Sequence, residues 1–166
     1  MNFLGRTRKR RDIARSILRA TVAQARDKHF FEHLKVADTF DGRFDLLALH
    51  SFLVLERLSG SAADLKQAFI DLLFTHFDEA LREQGVGDIG ISHRIRKIAD
   101  AFYGRLAAYK AANSEDDLAN ALWRNVYREA DGAKDAARAL ARYCERAREM
   151  IARCEPESGS IGFPEL

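Results

Sequence analysis

The sequence predicts an all-α fold, a single compact domain of about six packed helices with a long central helical hairpin. Three observations carry this. Apolar residues recur at three- and four-residue spacing in one segment after another, the mark of helices that bury one face. No alternating run of β-branched residues surrounds the glycines at 85–90, where a strand would matter most. The only prolines are Pro156 and Pro164, so residues 1–155 contain no breaker of that kind. A chain of 166 residues is one domain by length, large enough to bury about 70% of the surface its unfolded form exposes.

The first helix is expected to open at Asp12 as N-cap and to run to about Asp27, with Ile13, Ile17, Leu18 and Val22 on one side. A short aromatic piece follows at residues 30–34. Asp38, Thr39 and Asp41 offer caps ahead of residues 44–55, which are apolar all round and so predict a central, buried helix. Ser61, Ala62, Ala63 and Asp64 resemble a capping box with Asp in place of Glu. They open a long helix through Leu65, Phe69, Leu73, Phe77 and Leu81 that stops at Gly85. The stripe Ile91, Ile95, Ile98, Phe102, Leu106 and Tyr109 forms the second arm of the hairpin. Ser114 caps a helix through Leu118, Leu122 and Val126, and a last helix covers residues 133–154 through Leu140, Tyr143 and Met150. The division is thus a basic, flexible arm at 1–11, an all-α domain at 12–155 and an irregular tail at 156–166.

The net charge of +2 hides an asymmetry. Arg6, Arg8, Lys9, Arg10 and Arg11 all precede the first acid, Asp12, so the rest of the chain carries −3. Such an arm suits a phosphate surface, either an anionic membrane or ribosomal RNA, and these five residues are the expected tether. Cys144 and Cys154 match neither a redox pair nor a zinc pair, and they read as reduced thiols. No apolar run follows the basic arm as in a secretory signal, and residues 44–58 are too short and too polar to span a bilayer.

Residues 85–90 spell G-x-G-x-x-G, the pattern that cradles a dinucleotide pyrophosphate. The phosphate would need a strand running into the glycines, and a helix precedes them instead. They read as a helix stop, with Gly85 the left-handed residue and Gly87 and Gly90 the bend that follows. His29, Glu32 and His33 match H-x-x-E-H, but no third ligand stands out and two phenylalanines intervene, so a surface or interface pair is the better reading. His50, in the middle of the buried helix, reads as a hydrogen-bonded core histidine. Asp41 and Asp45 read as acids that complement the start of a helix. His93, Arg94, Arg96, Lys97 and Arg105 give the helix after Gly90 a basic side. That side and the arm together make a nucleic-acid-binding module the alternative function.

Longer strings narrow the choice. Residues 38–45 (DTFDGRFD), Leu49 and His50, GVGD at 85–88, AFYGRLAAY at 101–109, ALWRNVY at 121–127 and GFP at 162–164 together resemble the ubiquinol–cytochrome c chaperone family, over most of the chain from about residue 12. The resemblance implies a non-enzymatic assembly factor for ubiquinol:cytochrome c reductase that attends newly made cytochrome b and needs no cofactor. It implies work in the cytoplasm, peripheral to the cytoplasmic face of the inner membrane. Mitochondrial relatives in that family act with a small partner protein at the ribosomal tunnel exit. Candidate partner- or client-binding residues on the shared strings are Asp41, Arg43, Asp45, Gly87, Asp88, Phe102, Tyr103 and Arg105. The 11 phenylalanines and the rings of Phe102, Tyr103 and Tyr109 suggest an apolar groove that could hold a transmembrane segment of the client.

Overall fold

The computed structural model describes residues 3–60, 63–85 and 87–165, with side chains for all of these except Phe3, Leu4, Asp88 and Ile89. Seven α-helices follow one another: α1 (Phe3–Ala25), α2 (Lys28–Glu32), α3 (Phe40–Leu58), α4 (Ala63–Glu83), α5 (Asp88–Lys110), α6 (Glu115–Asn125) and α7 (Lys134–Ala152). A 3-10 turn at Pro156–Ser158 begins the tail. Six of the helices are long and one, α2, is little more than a turn. No strand occurs among the described residues.

The central element is α3. Every residue from Phe44 to Leu55 is buried, with Asp45, His50 and Ser51 the polar residues in an otherwise apolar run, and α1, α4, α5 and α7 all pack on it. Its start is fixed by Thr39, whose Oγ1 accepts from the Gly42 amide at 3.1 Å. Gly42 is needed there for space, because a Cβ would lie 1.9 Å from the Ala37 carbonyl oxygen. The α4–α5 pair is joined at Gly85, which takes φ +79°, a conformation only glycine adopts without strain. Gly87 is the N-cap of α5, while Gly90 lies inside its first turn and not in the bend. Although α4 and α5 form the expected hairpin, α4 packs most extensively on α1 and α5 also reaches α3 and α6. The capping box at Ser61 and Ala62, and the Val86 position, lie outside the described residues.

The first helix differs from expectation. It begins at Phe3, so Arg6 to Arg11 are helical and Asp12 is an interior residue, paired with Arg15 at 2.8 Å. Arginine and lysine are good helix formers, and continuing a helix that already packs on α4 requires no new nucleus. At the other end, Asp27 caps α2 by accepting from the His29 amide at 2.8 Å.

The tail is also anchored. Pro156 and Ile161 are buried, and the Phe163 ring lies 5.4 Å from the His50 ring. His50 is fully buried among Phe30, Tyr143 and Phe163. Its Nδ1 lies 2.7 Å from the Leu46 carbonyl oxygen, which can only accept, so Nδ1 carries the proton and Nε2 accepts from the Tyr143 hydroxyl at 2.8 Å. Burial pushes its pKa down to about 4, and the ring is neutral.

Candidate functional site

The most unusual chemistry in the core lies where α3, α5 and the α6–α7 turn meet. Asp45 is completely buried, and its Oδ1 accepts from Arg105 Nε at 2.6 Å. Arg105 is itself mostly buried: it also donates to the Ala101 carbonyl at 3.1 Å and stands 5.0 Å over the Phe44 ring. The second carboxylate oxygen faces Arg128, whose Nη1 is 2.8 Å away but not aligned for a hydrogen bond. Burial raises the Asp45 carboxyl above its usual range, and the two guanidiniums pull it back. The Tyr109 hydroxyl is buried and lacks a hydrogen-bond partner among the described residues. Burial, reinforced by Asp45, pushes its pKa up.

Arg128 reaches Asp45 from an unusual backbone. It and Glu129 take φ of +53° and +58°, the left-handed region that costs a side-chain-bearing residue roughly 1–2 kcal/mol. Arg128 also donates to the Asn125 carbonyl and lies 3.9 Å from Asp41. A buried pair of this kind adds little net stability, because desolvation offsets attraction, but breaking it leaves an uncompensated charge. It pins α5 and the α6–α7 turn to α3 in one arrangement.

The candidate residues fall into separate groups. Asp45 and Arg105 come together in the interior, so Arg105 is not part of a basic outer face. Asp41 and Arg43 stay at the surface, and Arg43 binds Asp38 at 2.7 Å, which holds the Asp38 carboxyl below its usual range. Gly87 is exposed at the start of α5, and the side chain of Asp88 lies outside the described residues. His93, Arg94, Arg96 and Lys97 are exposed on α5. Phe102 and Tyr109 are both fully buried, which removes two of the three rings expected to line a groove. Their positions in the i, i+3, i+4 stripe already committed them to the core. Tyr103 remains, 50% exposed and stacked on Phe74 of α4 at 6.1 Å. Beside it, Gly104 is exposed, and a Cβ there would meet nothing within 4 Å.

The residue missed in the sequence is Arg128. It follows the string at 121–127 directly, but nothing in helical periodicity connects it to Asp45, 83 positions earlier. The His29 and His33 rings lie 4.6 Å apart, tilted by 41°. No group of three or more His, Cys, Asp or Glu that could hold a metal occurs among the described residues. Arg6, Arg8, Lys9 and Arg11 are exposed on α1, and Arg10 is half-buried against Asp64. No helix of the described residues is long and apolar enough to cross a membrane.

The model of the ubiquinol-cytochrome C chaperone family matches residues 32–158, a span that includes Asp45, Arg105 and Arg128. The chain belongs to the ubiquinol–cytochrome c chaperone family. The crystal structure of the Cbp3 homolog from Brucella abortus is similar to this chaperone, with 33% identity and a TM-score of 0.85. The likeness covers 98% of this chain and 94% of that one, so it extends to the basic start of α1 and to the tail outside the family match. A comparison with curated proteins found no match.

Proposed function

We propose that this chaperone assists assembly of ubiquinol:cytochrome c reductase by binding newly made cytochrome b at the cytoplasmic face of the inner membrane. The family match over residues 32–158, which covers the whole Asp45 cluster, carries this reading. The candidate acid–base and nucleophilic groups fit a binding role. His50 is buried and neutral, and burial pushes the Cys144 thiol up to about 12, far from a reactive thiolate. Client contact falls on the outer face of α5 at Tyr103 and Gly104. There an exposed ring stands beside a position with no side chain, so another helix can approach closely. The Asp45–Arg105 pair serves this face indirectly by holding α5 in place. A small partner protein and the ribosome belong to the same reading as further contacts.

A photo-reactive residue at position 103, installed while cytochrome b is being synthesised in membranes, tests this. A covalent adduct with cytochrome b is the expected result. Adducts that lack cytochrome b, with cytochrome b captured at another surface or not at all, would remove Tyr103 from the client face.

A further inference from the structure

A second feature lies where the opening turns of α1 run beside α4. A cleft of about 600 Å³ separates them, with Arg6, Arg10 and Arg11 on the α1 side and Ala68, Asp71 and Leu72 on the α4 side. Arg10 is held in place by Asp64, its Nη1 lying 3.2 Å from the carboxylate without an aligned hydrogen bond. Arg6 and Arg11 have no carboxylate partner among the described residues. Asp71 accepts from Gln67 at 2.7 Å but keeps its charge, so the lining sets three arginines against the carboxylates of Asp64 and Asp71 and remains net positive. The cleft therefore offers two uncommitted guanidiniums and a third that is loosely held, with an apolar strip of Ala68 and Leu72 alongside.

Guanidinium forks match the oxygens of a phosphate, and a cleft that pairs them with apolar surface suits a phosphate joined to a hydrocarbon body. Among the described residues no aromatic ring lines it, and the apolar strip favours a phosphate carrying a hydrocarbon body over single-stranded RNA, which is held by stacking. We propose that this cleft seats the phosphate of an anionic phospholipid headgroup, with Arg6 and Arg11 as the clamp. The site gives the membrane-side reading above a defined location and rests on it. Arg8, on the opposite side of the same turns, adds only diffuse attraction to the same surface, whereas Lys9 lines a smaller adjoining cleft with Arg6 and Arg10.

The test is sedimentation of the full chain with phosphatidylcholine vesicles, with and without phosphatidylglycerol, at low and moderate salt. Wild type should sediment only with the anionic vesicles. Arg6→Ala with Arg11→Ala should weaken that binding on the order of tenfold more than Arg8→Ala with Arg19→Ala, although each pair removes two charges. Asp64→Asn, which frees Arg10, should strengthen it. Thermal melts confirm that the variants are folded, the substituted arginines being exposed.

Equal loss for the two double variants would overturn the site in favour of diffuse attraction. So would calorimetric binding of inorganic phosphate as tight as that of the vesicles, or tighter binding to ribosomal RNA at the same salt. Because no client is present, failure here leaves the chaperone reading standing. Capture of cytochrome b by the Arg6, Arg11 variant in detergent tests that reading separately.

Discussion

Acidification should destabilise the fold through His50, by an amount that follows from its surroundings. Its pKa is near 4 in the fold, against an ordinary 6.5 in the unfolded chain. Between those values the unfolded chain holds a proton that the folded one lacks, so stability is complete above about pH 6.5 and is lost as pH falls toward 4. Linkage gives a loss of about 2 kcal/mol between pH 7 and pH 5, approaching about 3 kcal/mol at pH 4. Half-buried His76 is shifted the same way, while the raised Asp45 works in the opposite sense. Comparison with His50→Gln cancels both, because Gln keeps a donor and an acceptor but does not titrate. Urea unfolding followed by circular dichroism at pH 7, 6 and 5 should show wild type losing about 2 kcal/mol more than the variant. Parallel slopes for the two proteins would refute the buried neutral histidine.

Other outcomes follow from the same coordinates. Arg105→Ala strands a fully buried carboxylate and should cost about 3–5 kcal/mol in chemical denaturation, whereas Arg128→Ala, at a half-exposed side chain, should cost about 1 kcal/mol. Gly42→Ala drives a methyl into the Ala37 carbonyl and should destabilise by about 2–3 kcal/mol or prevent folding. Gly104→Ala meets open space inside a helix and should stabilise the isolated protein by about 1 kcal/mol in the same assay, yet reduce cross-linking to cytochrome b at position 103.

Much of this architecture is legible in the sequence because helices advertise themselves locally. The largely apolar stretch of α3, the caps at Thr39 and Ser114, and the stop at Gly85 each rest on neighbours within a few residues. His50 could be read as a satisfied core residue, but its partner Tyr143 lies 93 positions away and no local pattern names it. The same holds for the ion cluster: Asp45 looked like a residue complementing a helix start, and only the packing of α3 on α5 shows that it faces Arg105, 60 positions on. Asp12 misled for a different reason. A capping residue is ambiguous wherever the chain before it can also be helical, and Arg6 to Arg11 can. An aromatic stripe is a poor sign of a groove, because a stripe that defines a helix face is usually the face that disappears into the core, as Phe102 and Tyr109 do.

The buried tail bears on the timing of synthesis. Phe163 supplies one of the rings that enclose His50, so that enclosure depends on a residue added after all seven helices have been made. A chain emerging from the ribosome can form its helices and most of its contacts in order of appearance, but the pocket around His50 stays open until residue 163 arrives. Of the three rings around His50, Phe163 is the last to be made, so this part of the core closes onto Phe30 and Tyr143 already in place.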